Sequence, residues 1–384
     1  MADRTVLDEA LLERIAARAP EYDRGNRFFT EDLEELTAAG YLRAMVPAEF
    51  GGLGLTLRET AREQQRLAAA APATALGVNM HLVWTGVAKV VHDRGLDFLD
   101  FLLEEAGAGE VLGFGISEAG NDLVLFGSRT EAVPQEDGGY RFTGTKVFTS
   151  LSPAWTRLGL FGLDTVSADA PKLVHAFIDR EAAGYRILDD WDTLGQRATQ
   201  SSTTVLDGVY APPERVFRRL DPGPNPDPLI FGIFANFEVL LASVYTGIGA
   251  RALELATASA HRRTSMRNGG APLAHDPDIR WRIADAALAQ DALAPQIDAI
   301  ARDVDELADH GAQWFRKLVG VKVRATETAR VVVDAAIRVS GGSSYANSSE
   351  LSRLYRDVLA GMFHPSDDES AHSTVATALL GPLP

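Results

Sequence analysis

The carboxylate with the clearest catalytic potential is Glu238, because its neighbours in the sequence are almost all apolar. Phe234, Phe237, Val239 and Leu240 surround it. A carboxylate in such a run is seldom an ordinary solvated charge. Burial would raise its pKa, and a carboxylate with a raised pKa is suited to removing a proton from a substrate as a general base.

A second group of carboxylates lies near the C-terminus, where Asp367, Asp368 and Glu369 follow one another between His364 and His372. These residues could bind a metal, but the pattern alone favours a solvated acidic turn. The eight histidines include no HExxH pair and no pair at a metal-binding spacing beside a carboxylate triad. The sequence therefore predicts no metal site. It also lacks the GxSxG signature of many serine hydrolases.

Composition excludes several classes of protein. The 384 residues contain no cysteine, which rules out disulfides, thiol nucleophiles and cysteine-bound iron–sulfur clusters. A net charge of −16 argues against partners such as nucleic acid or an anionic membrane. No apolar run is long enough to cross a bilayer, and the first residues lack the apolar core of a secretory signal. We expect a globular protein of two or three domains that suits a reducing cytoplasm.

Three regions with different sequence patterns must position these residues. Residues 1–110 show helical periodicity, and Pro20 predicts the end of the first helix. Residues 111–220 contain short runs rich in Val, Leu, Phe and Thr with no helix between them, which indicates an all-β domain. The proline-rich segment 221–228 then predicts a domain boundary.

Long helical patterns resume in residues 229–384 and predict a helical bundle. We expect a first helix over 229–265 and a second over 278–309, with a possible kink at Pro295. The sequence GIGAR (247–251) falls within the first of these helices. Its small residues therefore indicate close helix packing and not a dinucleotide-binding turn.

The chain carries five motifs that together resemble the acyl-CoA dehydrogenase family of flavoproteins over nearly the whole sequence. The motifs are PAEFGGLGL (47–55), GFGISEAGND (113–122), GTKVFTS (144–150), GQRATQSSTTVLDGVYAPPERV (195–216), and SGGSSY (340–345) followed by LYRD (354–357). The resemblance implies an α+β fold with an N-terminal helical domain, a central β-barrel and a C-terminal four-helix bundle. It also implies a homo-oligomer, dimer or tetramer, with FAD between the β-domain and the bundle.

The resemblance assigns flavin contacts residue by residue. Ser117 takes the place of a threonine that contacts the flavin pyrimidine, Phe148 matches a tryptophan that walls the ring, and Ser150 matches a threonine beside flavin N5. On the bundle, Arg263 matches an arginine that reaches the FAD pyrophosphate bound by a neighbouring subunit. Gly341 and Gly342 match a close backbone approach to the same group.

The expected catalytic base is displaced in this chain. The family oxidises a CH–CH bond by removing a proton beside a thioester carbonyl, and its two usual glutamate positions fall here on Pro365 and Phe237. Glu238 is one residue from the second position, and a helix turns about 100° per residue. We rank Glu238 first as the base, followed by Asp368 and Glu369 if the C-terminal loop contains an insertion.

Three functions follow from this resemblance. The first is FAD-dependent α,β-dehydrogenation of an acyl-CoA or a carrier-protein acyl thioester, with electrons passed to an electron-transfer flavoprotein. The second is a monooxygenase on the same scaffold that uses reduced flavin and O₂, with His81, His364 or His372 near the flavin; the missing glutamate supports it. The third is a non-catalytic relative, against which the retained hydroxyls and Arg263 argue.

Overall fold

The computed structural model describes residues 4–381, which form eleven helices, a large sheet and a small hairpin. The helices are α1 (Glu9–Gly25), α2 (Thr30–Ala38), α3 (Leu57–Ala70), α4 (Pro72–His92), α5 (Asp100–Ala108), α6 (Pro228–Arg262), α7 (Pro277–Asp291), α8 (Leu293–Asp305), α9 (Gln313–Ser340), α10 (Glu350–Val358) and α11 (Asp368–Leu380). The strands are β1 (Leu112–Gly115), β2 (Glu131–Pro134), β3 (Tyr140–Lys146), β4 (Arg157–Asp164), β5 (Lys172–Asp179), β6 (Tyr185–Ile187), β7 (Thr204–Ala211), β8 (Val216–Leu220), β9 (Thr264–Ser265) and β10 (Ala271–Pro272).

The N-terminal helices begin at polar caps. Asp8 accepts a hydrogen bond from the Leu11 amide at the start of α1, and Thr56 and Glu59 form a capping box at the start of α3. Contrary to the sequence prediction, α1 continues through Pro20 to Gly25. The lost backbone hydrogen bond is outweighed by tertiary contacts beyond the proline, where Tyr22 is buried and Asp23 pairs with Arg356.

The central region is one mixed sheet of eight strands in the order β6-β7-β3-β2-β4-β5-β8, with β1 paired to β4. The pairs β1–β4 and β2–β4 are parallel, and the others are antiparallel. Alternation of buried and exposed residues along β3 places Phe142 in the core. The loops that connect the strands, including those after β1 and β3, lie at the edges of this sheet, where a site can form.

The bundle is organised around α6, which packs against α9, α3 and α4. Gly247 and Gly249 permit close packing of α6, because a Cβ at the first position would collide with Gln65 of α3 and one at the second with Gln290 of α7. The interpretation of GIGAR as a packing motif is thus correct. Contrary to the sequence prediction, α6 has a stretch long and apolar enough to span a bilayer, the only such helix within the described residues, but 83% of its most apolar window is buried inside the protein.

The second bundle helix differs from the sequence prediction. The expected helix over 278–309 is broken at Ala292 into α7 and α8. Pro295 lies in the first turn of α8, where its missing amide hydrogen costs no helical hydrogen bond. The proline therefore starts a new helix and does not kink a continuous one. The predicted fold class is confirmed: N-terminal helices, a central mixed sheet and a C-terminal helical bundle.

Candidate functional site

Two loops of the sheet domain concentrate unusual backbone conformations. Phe148 and Leu151 follow β3, Gln196 and Gln200 precede β7, and all four have positive φ angles although none is glycine. The loops touch, since the Leu151 amide donates to the Thr199 carbonyl. Residues held in this region cost about 1–3 kcal/mol each and cluster at ligand sites. The paired loops are therefore the first candidate for a binding surface.

Phe148 presents an aromatic ring to solvent at this surface. Its side chain is 60% exposed, and Trp191 packs edge-on against it with ring centroids 6.2 Å apart. Beside it, the Ser117 carbonyl accepts a hydrogen bond of 2.9 Å from the Val147 amide. This bond brings the loop after β1 next to the loop after β3. The structure thus places Ser117, Phe148 and Ser150 together.

The loop after β1 is anchored by a buried ion pair. Glu118 accepts a hydrogen bond of 2.6 Å from Lys146, and further bonds from the Thr130 hydroxyl and the Arg129 amide. Burial alone would raise the pKa of Glu118, but the Lys146 charge and these bonds outweigh it and lower the pKa to about 2. The pair is ionised and fixes Ser117, the adjacent residue, in place.

Ser150 lies at the buried end of the surface and is 7% exposed. Its hydroxyl is 2.8 Å from the Ser201 hydroxyl, which is 2.8 Å from that of Thr199. The neighbouring Thr149 hydroxyl is buried and has no hydrogen-bond partner among residues 4–381. A flat aromatic ligand would meet an exposed ring at Phe148 and a polar edge at these hydroxyls. The residues present fit a flavin ring, which needs apolar walls and a few fixed polar contacts.

The bundle contributes a second part of the site, adjacent to the first. Phe114 on β1 stacks on Phe237 of α6 with ring centroids 6.0 Å apart. Glu238 follows Phe237 but points into the interior, where it is 1% exposed and accepts a hydrogen bond of 2.6 Å from the Ser366 hydroxyl. Burial raises the pKa of Glu238 to about 7, although Ser366 and the charge of Lys322 oppose the shift.

Lys322 of α9 binds the loop that covers Glu238. Its ammonium donates to the carbonyl oxygens of Gly361, His364 and Ser366 at 3.1, 3.0 and 2.8 Å. We call residues 361–366 the cover loop. Lys322 therefore fixes the position of the cover loop through its backbone, and the loop in turn seals Glu238 from solvent.

His364 is the histidine that the cover loop brings to the site. Its Nε2 lies 2.9 Å from the Tyr245 hydroxyl. Burial and the nearby Lys322 charge lower the pKa of His364 to about 3, so its imidazole is neutral near pH 7. Phe363, the preceding residue, is exposed. The cover loop thus offers a neutral imidazole and an exposed aromatic ring, with Pro365 between His364 and Ser366.

The other candidate histidines lie elsewhere. His81 is buried in α4, where its Nδ1 accepts from the Leu112 amide and its Nε2 donates to the Leu42 carbonyl. Both ring nitrogens are used in holding β1 against the helices. His372 is on the surface of α11 beside Asp368, and the side chains of both are more than three-quarters exposed. Glu369 is likewise exposed in the first turn of that helix.

Arg263, Gly341 and Gly342 come together at the far ends of α6 and α9. The Arg263 guanidinium donates to the carbonyls of Val339 and Ser340 at 3.1 and 2.5 Å. Gly341 has φ +69°, a conformation that favours glycine. A Cβ on Gly342 would meet nothing within 4 Å, so its backbone is open to close approach. These features suit the binding of a phosphate group that belongs to a ligand.

Comparison with known proteins decides the family. Sequence models of the acyl-CoA dehydrogenase N-terminal and C-terminal domains match residues 4–93 and 239–368. The chain is also 30% identical over 380 residues to an L-evernosamine nitrososynthase from Micromonospora sp., covering 94% of this chain and 86% of that protein. The chain belongs to the acyl-CoA dehydrogenase family of flavoproteins. It is therefore a flavin-dependent oxidoreductase.

Proteins with other activities are also similar to the chain over nearly its whole length. A dibenzothiophene monooxygenase from Rhodococcus erythropolis is 28% identical, covering 94% of this chain and 89% of that protein. The solved structure of KijD3 in complex with FMN and dTDP-3-amino-2,3,6-trideoxy-4-keto-3-methyl-D-glucose superimposes with a TM-score of 0.86 at 26% identity, covering 98% of this chain and 92% of that chain. Family membership thus covers more than one flavin chemistry.

The sequence analysis missed the buried residues that hold the loops of this site in position. Lys146 and Lys322 are two of only five lysines in the chain, and Lys322 lies between Val321 and Val323. These apolar neighbours resemble those of Glu238 and could have identified Lys322, whereas Lys146 follows Thr145 and gave no such signal. Ser201 carried no such signal, because a serine in a polar loop is ordinary and only the folded loops bring it to Ser150.

Proposed function

We propose that this protein is a flavin-dependent monooxygenase that uses reduced flavin and O₂ to oxidise a small molecule at nitrogen or sulfur. A nitrososynthase and a dibenzothiophene monooxygenase among the similar proteins support the reaction class. When bound, reduced flavin supplies the electrons that activate O₂. The protein must then position the ring, exclude water and hold the substrate.

One observation carries the proposal: the three carboxylates considered as dehydrogenase bases do not face the candidate site. Glu238 is sealed behind Ser366 of the cover loop, and Asp368 and Glu369 are exposed on α11. The family position in the cover loop is Pro365, which cannot accept a proton. A thioester bound at this surface would have no carboxylate to remove its α-proton.

The neutral side chain of His364 fits the proposal. An uncharged imidazole with its Nε2 on the Tyr245 hydroxyl can form a hydrogen bond to a bound substrate through Nδ1 without placing a charge in an apolar pocket. Phe148 would stack on the flavin ring, while Ser117 and Ser150 would contact its polar edge. Ser150 would lie beside flavin N5.

The raised pKa of Glu238 makes acyl thioester dehydrogenation the second candidate function. The pKa of Glu238 is about 7, close to the optimum for a general base working near neutral pH. If the cover loop opened, Glu238 could act on an acyl-CoA or carrier-protein thioester. FAD would then pass electrons to an electron-transfer flavoprotein.

Anaerobic and aerobic mixing experiments separate the two functions. We expect the protein to bind dithionite-reduced FMN, and His364→Asn to keep that binding but slow oxidation of dibenzothiophene or an amino sugar about tenfold, as expected for the loss of one hydrogen bond that positions the substrate. His372→Asn, an exposed histidine, is the matched control and should have no effect.

The contrary result concerns FAD-loaded protein under argon. Bleaching by any of a series of short- to long-chain acyl-CoA thioesters would establish the dehydrogenase. In that case Glu238→Gln should slow bleaching at least ~10²-fold, while Asp368→Asn and Glu369→Gln leave it unchanged.

The cofactor and assembly are tested together through Arg263. We propose that the ring contacts serve FMN and FAD alike, whereas Arg263, Gly341 and Gly342 serve the pyrophosphate, which FAD alone contains, from a neighbouring subunit of a dimer or tetramer. Arg263→Ala should therefore weaken FAD binding about tenfold, the size of one charge-assisted contact, and leave FMN binding unchanged. Light scattering should give a mass of two or four chains; a monomer that binds FAD fully would contradict the assignment.

We place the protein in the cytoplasm, in keeping with its lack of cysteine.

A further inference from the structure

The hydroxyl of Ser150 is the first member of a chain of buried hydrogen bonds. Ser150 Oγ lies 2.8 Å from Ser201 Oγ. Ser201 Oγ lies 2.8 Å from Thr199 Oγ1, and Thr199 Oγ1 lies 2.9 Å from the carbonyl oxygen of Gln196. All three hydroxyl residues are buried. The chain therefore runs from the candidate flavin surface into the interior and ends on a backbone carbonyl.

The far end of the chain is rigidly held. Gln196 is 2% exposed and has a φ of +54°. Its amide donates to the Asp357 carboxylate at 2.6 Å, and its side-chain amide donates to the Asp357 carbonyl at 3.1 Å. These two bonds tie the loop to α10 of the bundle. The Gln196 carbonyl is thus a fixed acceptor at the base of the chain.

A fixed acceptor at one end sets the direction of every bond. A carbonyl oxygen can only accept, and each hydroxyl has one proton to donate. Thr199 therefore donates to Gln196, and Ser201 donates to Thr199. The bond between Ser150 and Ser201 needs one proton, and that of Ser201 is already used, so Ser150 donates it. Toward the flavin surface Ser150 retains only lone pairs and acts as an acceptor.

We infer that Ser150, directed by Ser201 and Thr199, selects the reduced form of the flavin. The inference rests on the proposed function, in which Ser150 lies beside flavin N5. Oxidised flavin has a lone pair at N5, whereas reduced flavin carries a hydrogen there. An acceptor-only hydroxyl hydrogen-bonds with the reduced form and opposes lone pair to lone pair with the oxidised form. Ser201 and Thr199 are positioning residues, because they act through Ser150.

The test measures the affinities of both redox forms of FMN under argon, with FMN reduced by dithionite. Wild-type protein should bind reduced FMN more tightly than oxidised FMN. In Ser201→Ala, and independently in Thr199→Val, the Ser150 proton is free to point outward, so the ratio of the two affinities should fall roughly 5- to 10-fold, as expected for one hydrogen bond. Thr199→Ser keeps the chain and should restore the wild-type ratio. The midpoint potential of bound FMN should fall in step with the ratio.

The matched control is Ser152→Ala. Ser152 is a buried serine of the same loop, but its hydroxyl donates to the Thr149 carbonyl outside the chain, so its loss should leave the ratio unchanged. An equal change in Ser152→Ala, or no change in both Ser201→Ala and Thr199→Val while FMN still binds, would overturn the inference and leave the monooxygenase proposal intact. Failure of the wild-type protein to bind either form of FMN would overturn both.

Discussion

Two buried glutamates each lie near a buried lysine, Glu118 in the sheet and Glu238 in the bundle, and they behave in opposite ways. In the sheet, Lys146 and Glu118 are in direct contact at 2.6 Å, and both are ionised at pH 7 although burial lowers the pKa of Lys146 to about 8. In the bundle, Lys322 gives its three hydrogen bonds to carbonyls of the cover loop. Glu238 there accepts from Ser366 at one oxygen, while its other oxygen has no partner among the described residues.

Burial raises the pKa of both carboxylates, and it is the Lys146 charge together with several hydrogen-bond donors that reverses the shift at Glu118. Glu118 receives bonds from Lys146, the hydroxyls of Ser128 and Thr130, and the Arg129 amide. Its pKa falls to about 2, whereas that of Glu238 rises to about 7. A buried acid with many donors is a fixed anion. One with a single donor can change its charge near neutral pH, which is the property that a site residue needs.

The largest expected effect comes from breaking the sheet pair. Lys146→Met leaves an ionised, buried Glu118 without its countercharge, which should lower the free energy of unfolding by about 3–5 kcal/mol. Urea denaturation followed by circular dichroism measures it. Lys172→Met is the control, because Lys172 pairs with the exposed Asp221 and a surface pair contributes at most about 1 kcal/mol. Equal losses of unfolding free energy in the two variants would show that the buried pair stabilises the protein no more than a surface pair does.

The second prediction concerns pH and separates the two acids directly. The pKa of Glu238 is raised from 4.5 to about 7 on folding, so its contribution to stability is full below pH 4.5 and is lost as the pH rises through 7. Glu238→Gln stays neutral, so its stability relative to wild type should increase by about 2.5 kcal/mol between pH 5 and 8, at about 1.36 kcal/mol per pKa unit.

Glu118→Gln provides the contrast for this prediction. Glu118 has a lowered pKa, so its contribution is present above its unfolded value of 4.5 and is lost only as the pH falls through about 2. Because Lys146 has a pKa of about 8 that the Glu118 charge holds up, the clean comparison is the double variant Glu118→Gln/Lys146→Met, whose deficit should be constant between pH 5 and 7. Urea titrations at each pH measure both variants. A flat profile for Glu238→Gln would mean that the bundle carboxylate is ionised like its counterpart in the sheet.

The sequence predicted the fold and the burial of Glu238, and the two buried acids show why their charge could not be predicted in the same way. The order of helical, β and helical regions follows from local periodicity. The apolar run around Glu238 indicates burial, which the structure confirms. The flavin contacts at Ser117, Phe148, Ser150 and Arg263 remain predictions. Whether a buried acid is charged depends on donors distant in sequence, such as Ser366. No local pattern records such contacts.

The smallest expected effect compares the loss of one hydroxyl from each carboxylate. Ser366→Ala removes the hydrogen bond from Ser366 to Glu238, so the pKa of Glu238 should rise further, by up to about one unit for a bond worth about 1 kcal/mol. Ser128→Ala removes one of several bonds to Glu118, whose Lys146 and Thr130 contacts remain, and Glu118 should stay ionised. Infrared difference spectra of the protonated carboxyl stretch, recorded from pH 5 to 9 and assigned with Glu238→Gln, measure the titration. An unshifted titration in Ser366→Ala would show that the apolar surroundings, and not the single donor, set the charge of Glu238.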